Sequence, residues 1–172
     1  MTEINRATLF GKLNPVAYRA IEGATVFCKL RGNPYVEMVH WLHQIVQAPD
    51  SDLHHAIRHY EIDASRLSAD MTAALDKLPR GATAISDFAP QIEEAIEKAW
   101  VFATLMFGVS QVRTGHILFA MMKTANLRNL LISLSRQWDR VKPDDLSDNF
   151  DTILAGSPET AMAATDTGAG PG

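Results

Sequence analysis

At 172 residues, with 47% hydrophobic and 21% charged residues, the chain is long enough to bury one sizeable core, or two small ones that share it. Its net charge is −4, and Lys and Arg are scattered rather than gathered in a stripe, which argues against nucleic acid as a partner. No apolar run reaches the roughly 18 residues of a membrane helix, and Met1 to Arg6 lack the basic and apolar regions of a secretory signal, so a cytoplasmic protein that does not meet the membrane is expected.

Apolar residues recur at helical spacing nearly throughout, and no comparable stretch alternates with period two. Ile4, Ala7, Leu9, Phe10 and Leu13 are enough for a short opening helix ahead of Asn14. Asn14-Pro15 then supplies an N-cap followed by proline at the first helical position. The helix it starts, with Ala17, Ala20, Ile21, Ala24, Phe27 and Cys28 on one face, should stop near Gly32-Asn33-Pro34. Further helices are expected over about Glu37 to Gln47, Asp52 to Tyr60, and Ala64 to Leu78 with Asp63 as cap, before Pro79-Arg80-Gly81 breaks the pattern. The single Cys28 cannot close an intrachain disulfide, and on the apolar helix face it reads as a core thiol.

After the break the pattern begins again. Leu13-Asn14-Pro15 corresponds to Phe88-Ala89-Pro90, Ala20-Ile21 to Ala95-Ile96, and Ala24-Thr25-Val26-Phe27-Cys28 to Ala99-Trp100-Val101-Phe102-Ala103. Val36 to Leu42, with His40, correspond to Val112 to Leu118, with His116. Leu53 matches Leu127, and Leu67 and Leu75 match Leu146 and Leu154. The fold expected is therefore all-α: two copies of a four-helix unit, about 13–79 and 88–155, making eight helices related by a pseudo-twofold, with the short opening helix in addition. The Ala-, Gly-, Thr-, Ser- and Pro-rich stretch 156–172 reads as a flexible linker to something further on.

His40 and His43 stand at i, i+3 and His55 and His59 at i, i+4, so a metal hydrolase built on His54, His55 and His59 is one conceivable reading. No Glu lies between the latter pair in the metalloprotease sense, and solvated surface is the simpler account. His40 recurs as His116, which points to a structural duty inside each copy, a ring nitrogen bonded to backbone. No phosphate loop, nucleophile elbow or local Cys–His pair is present, so no metal, cofactor or catalytic residue is assigned to this stretch. Glu93, Glu94, Asp144 and Asp145 fall near expected helix starts, where the macrodipole favours carboxylates. What remains is apolar surface without an obvious internal partner. Ile4, Leu9 and Phe10 precede the first copy, and Phe88 and Ile92 stand at i, i+4 where the second begins. If the opening helix lies beside that start, these side chains either wall a groove for one amphipathic helix or simply pack on each other.

The duplicated Ala-rich helix, the Gly-containing loop and the His-centred segments Val39-His40-Trp41-Leu42 and Gly115-His116-Ile117-Leu118 resemble the N-terminal domain of Clp-type AAA+ unfoldases. The opening Thr8-Leu9-Phe10-Gly11-Lys12-Leu13-Asn14-Pro15 is similar, more narrowly, to the ClpV branch that serves bacterial type VI secretion. The resemblance implies a non-catalytic recognition domain, here 1–155, tethered to a ring, a homohexamer, whose AAA+ modules alone bind ATP and Mg. Its implied partner is an N-terminal helix of the large sheath subunit, held so that contracted sheath can be disassembled. The family's groove falls here on Ala7, Thr8, Gly11, Phe88, Gln91 and Ile92 with their neighbours Ile4, Leu9 and Phe10. A general docking domain for adaptors or unfolded substrates, without sheath specificity, is the other reading.

Overall fold

The computed structural model describes residues 4–162. The first helix, α1 (Arg6–Gly11), is capped by Asn5, whose side chain accepts the Thr8 N–H. The first copy follows as α2 (Pro15–Arg31), α3 (Met38–Gln47), α4 (Asp52–His59) and α5 (Ala64–Asp76). The second is α6 (Pro90–Leu105), α7 (Thr114–Lys123) and α8 (Ala125–Leu134), then α9 (Pro143–Asp148) and α10 (Phe150–Ile153). The expected boundaries are met closely because their signals are chemical. Asn14 accepts the Ala17 N–H at the head of α2, Gly32 ends that helix at φ 71°, and Asp63 accepts the Arg66 N–H at the head of α5.

Two departures from the sequence pattern matter. A fourth helix matching α5 is not continuous in the second copy: a 3₁₀ turn (Arg136–Arg140) precedes it, and a break at Asn149 divides it into α9 and α10. The linker reading of 156–172 also fails at its start. Pro158–Ala161 form a 3₁₀ turn capped by Ser157, with Ser157 and Glu159 buried, because a buried polar network outweighs the poor apolar content of the segment. Residues 163–172, the rest of the expected linker, lie outside the described residues.

The two copies are tied by a reciprocal exchange. β1 (Tyr35–Val36) of the first copy pairs in parallel with β2 (Asp87–Phe88), which opens the second, and Val36 stands opposite Phe88. Their repeat counterparts do the converse: Leu13, which opens the first copy, bridges to Val112 of the second. The Ala89 N–H donates to Val36 O at 2.8 Å, and the Asn14 N–H to Val112 O at 2.9 Å. Each copy thus completes the other, which is the pseudo-twofold in physical terms, and one continuous apolar core spans both. Within each copy the long first helix packs on the second, α2 on α3 and α6 on α7, through small residues such as Ala17, Ala20, Ala24, Ala95 and Ala99 that admit close approach.

The histidines hold those second helices. His40 Nδ1 accepts the Glu37 N–H at 2.8 Å, and His116 Nδ1 accepts the Arg113 N–H at 3.0 Å, each satisfying a donor at a helix start. With Nδ1 so engaged, His40 carries its proton on Nε2 and donates to Asn33 Oδ1 at 2.9 Å. Asn33 in turn donates to Pro79 O, fixing the end of the first copy. Cys28 is fully buried, its sulfur 3.3 Å from Asn33 O and 3.2 Å from Tyr35 O, and burial pushes the thiol pKa up. Among the described residues no helix is long and apolar enough to cross a membrane.

Candidate functional site

The opening helix docks on the start of the second copy, as α1 against α6. Leu9 and Phe10 are the reason: they lie on one side of α1 and enter the common core. The Phe10 ring meets Phe88 edge-on, with centroids 5.2 Å apart and an interplanar angle of 86°. On the outer side Arg6 spans the seam, with Nη1 2.8 Å from Asp87 and Nη2 2.8 Å from Glu93. Its guanidinium carbon also lies 5.4 Å from the Phe88 centroid. These contacts raise the Arg6 pKa, Glu93 contributing most, and the same guanidinium lowers that of Asp87.

The nine residues picked from the sequence therefore separate into two sets. Leu9, Phe10, Gly11 and Ile92 are buried, Ile92 completely, so they form a floor and not the walls expected of them. The physical reason is ordinary packing: an apolar stripe on a short helix finds its partner in the neighbouring helix start and the core beneath. Ile4, Ala7 and Thr8 are exposed, and Phe88 and Gln91 are half-buried. Tyr35, 46% exposed and opposite Asp87 in the β1–β2 pair, adds an aromatic close to this surface. The result is a shallow shelf with Phe88 partly covered by Arg6. Arg6 and Asp87 escaped the sequence reading, and Glu93 was read only as a helix-start carboxylate, since nothing in a lone Arg six residues from the start announces a partner 87 positions away.

The three histidines of α4 are engaged by the protein itself. His54 Nδ1 lies 2.7 Å from Ser51 Oγ and its Nε2 3.1 Å from Val46 O; His55 Nε2 faces Asp50 at 3.2 Å and His59 Nε2 faces Asp145 at 3.4 Å. Among the described residues no three His, Cys, Asp or Glu side chains gather as a metal site would need. An apolar cleft of about 590 Å³ opens on another face, between Val16 and Ala20 of α2, Ala48-Pro49, and Gly156 with Pro158.

Comparison with known proteins bears on this geometry. The family model of the Clp repeat N-terminal domain matches residues 12–137. The chain is 54% identical over its whole length to the AAA+ ATPase ClpV1 of Pseudomonas aeruginosa, and 45% identical over 95% of its length to a chaperone protein ClpB of Yersinia enterocolitica. It spans about a fifth of each, 19% and 18%. Among solved structures, one comes from work on the coevolution of the ATPase ClpV, the TssB–TssC sheath and the accessory HsiE protein in two type VI secretion classes. It superposes with a TM-score of 0.90 at 56% identity, covering 92% of this chain and 98% of that one. A complex of a ClpV N-domain with a VipB peptide superposes at 0.79 and 25% identity, over 93% and 98% of the two chains.

Proposed function

The chain belongs to the family of Clp repeat N-terminal domains, and on that premise we propose that it is the recognition module of a type VI secretion disassembly ATPase. It holds an N-terminal helix of the large sheath subunit on the shelf made by α1, β2 and the first turn of α6. The hexameric cytoplasmic ring that carries it supplies ATP hydrolysis, and this stretch contributes binding alone.

The observation that carries the proposal is the seam between α1 and α6. α1 lies outside the duplicated unit, yet it is held to the second copy by two apolar side chains inside and one guanidinium outside, leaving Ile4, Ala7, Thr8, Phe88 and Gln91 on the open side. An amphipathic helix laid there meets small residues where it crosses α1, so its backbone can come close, and an aromatic where it crosses β2. The whole-chain identity to ClpV1 and the likeness to a ClpV N-domain solved with a VipB peptide support the same partner.

Burying about 400–600 Å² of apolar surface gives roughly 10–15 kcal/mol gross, of which ordering the peptide and losing rigid-body freedom offset most, so micromolar affinity is expected. Weak binding of one domain suits a ring that gains avidity on a repeating sheath and still lets single subunits go. The test is a calorimetric titration with a peptide spanning the N-terminus of the cognate large sheath subunit, using the natural chain and Ala7→Arg, an exposed change that leaves the floor intact. Saturable binding lost in Ala7→Arg supports the shelf; equal affinity for both chains removes it.

One observation favours the second reading, docking of an adaptor or unfolded chain without sheath specificity. With Ile92 sealed and Arg6 over Phe88, the shelf lacks a deep pocket to select one anchor residue. An unrelated unfolded protein that binds as tightly as the sheath peptide, and competes with it, establishes that reading.

A further inference from the structure

Residues 157–160 are tied into the fold chiefly by one buried carboxylate of their own. Glu159 is fully buried, with Oε1 accepting from Asn14 Nδ2 at 2.8 Å and from the Thr114 N–H at 2.8 Å. Its Oε2 accepts from the Asp52 N–H at 2.6 Å and from the Thr114 hydroxyl. Asp52 N and Thr114 N are the first amides of α4 and α7, donors that a helix cannot satisfy internally. Asn14 is itself the N-cap of α2. One side chain therefore joins the N-termini of three helices, α2 and α4 from the first copy and α7 from the second.

A second carboxylate makes the arrangement demanding. Asp52 receives Arg113 Nε at 2.9 Å, Arg113 Nη2 at 2.8 Å, the Gly115 N–H at 3.1 Å and the Ser157 hydroxyl at 2.6 Å. The guanidinium is bonded to Asp52 and not to Glu159, and the Glu159 pKa is raised, by burial first and the nearby Asp52 second. Such a network holds only while each donor is in place, because a buried charge that loses a partner is costly.

The network also sits at the foot of α1. Lys12, the C-cap of α1, accepts the Val112 N–H at 2.8 Å, and Asn14 donates its own N–H back to Val112 O. Asn14 and Thr114, the two residues that Glu159 Oε1 joins, thus flank the Leu13–Val112 bridge on either strand.

We infer that residues 157–160 are a strap, and that Glu159 is a positioning residue that fixes α1 on the second copy through Asn14 and Thr114. The functional consequence rests on the shelf proposed above. Displacement of the strap loosens α1, the element that forms half of the shelf, so that the seating of residues 157–160 is coupled to binding.

The test reads amide hydrogen exchange element by element in the natural chain, Glu159→Gln and Glu159→Ala, with no peptide present. The gentler variant keeps the side chain's shape and puts an amide N–H₂ where one oxygen accepted. Exchange in residues 6–14 should rise roughly tenfold in Glu159→Ala and by less in Glu159→Gln, with α5 unchanged in both. A synthetic peptide of residues 155–162 added in trans should restore protection of α1 in Glu159→Ala. Unchanged exchange in α1, or an equal rise in α5 already in Glu159→Gln, overturns the strap. Since this readout needs no sheath peptide, a failure of the sheath assignment leaves it standing.

Discussion

His40 and His116 perform one task in the two copies: each ring's Nδ1 accepts the N–H of the residue three positions earlier and so closes the start of α3 or α7. Both rings are held neutral. Burial, then Arg31 and His43, drive the His40 pKa down to about 4, and burial, then Arg113, drive that of His116 down to about 3, against an ordinary 6.5. As pH falls below about 6.5 the unfolded chain takes up protons that these folded rings refuse, so stability falls, by at most about 1.4 kcal/mol per pH unit per ring. Glu159 and Glu37 work in the opposite sense, since a raised pKa means stability lost as pH rises through it, but they are two acids against three histidines, burial and Arg31 lowering the pKa of His43 as well. The urea midpoint, followed by tryptophan fluorescence, should drop between pH 7.5 and 5. In His40→Gln, whose amide oxygen can accept the same N–H, the drop should be shallower; an unchanged slope contradicts the role given to His40.

Arg6 separates holding α1 from stabilising the domain. The Arg6 and Asp87 side chains are 43% and 50% exposed and Glu93 is 29% exposed, so solvent screens these pairs and Arg6→Ala should leave global stability nearly unchanged. It should nevertheless raise exchange in α1 and uncover the Phe88 ring. Added salt should reproduce the loosening in the natural chain and have little further effect in Arg6→Ala. A large loss of melting temperature in Arg6→Ala would show that the seam supports the whole fold.

Gly115 marks a close approach of three side chains to the start of α7. A Cβ there would lie 2.8 Å from Leu154 Cδ1, 3.0 Å from Asp52 Oδ2 and 3.1 Å from Phe150 Cζ. Gly115→Ala should therefore destabilise by about 1–3 kcal/mol, as overpacking does. Gly108, at φ 67° with open space around its Cα, is the control: alanine there should cost about 1 kcal/mol through backbone conformation alone. Equal midpoints for the two variants would mean that the Asp52 and Leu154 surroundings yield freely.

The fold was legible because its punctuation is local. Asn14-Pro15, Gly32 and Asp63 act within a turn of where they stand, and the paired histidines exposed the duplication. The site was legible in place but not in depth. Periodicity identifies Leu9, Phe10 and Ile92 as apolar, and cannot tell a wall from a floor, because that depends on which surface arrives from elsewhere in the chain. The strap was hidden by composition. Ser157-Pro158 carries the same cap-then-proline signal as Asn14-Pro15, the Ser157 side chain accepting the Glu159 N–H, but it lies in a stretch too polar to look folded. What folds it is the Glu159 carboxylate, with partners at positions 14, 52 and 114, together with the Ser157 hydroxyl on Asp52, constraints without a sequence period.

That distinction between wall and floor decides which substitutions report on binding. Ile92 is fully buried in the common core, so Ile92→Arg forces an unpaired charge into it and should cost more than about 4 kcal/mol, enough to unfold many domains. Loss of peptide binding in that variant would carry no information. Phe88→Arg is intermediate, since half of the ring is covered by Phe10 and Arg6, and removing it also brings a second cation beside Arg6. Thr8→Arg and Gln91→Arg change only the open side. Circular dichroism melts should rank Ile92→Arg far below Phe88→Arg, with Thr8→Arg and Gln91→Arg at the natural value. Peptide affinity should be lost in the latter pair as well, the dissociation found at a step where stability is unchanged. If both exposed variants bind as the natural chain does, the partner rests on some other face of the domain.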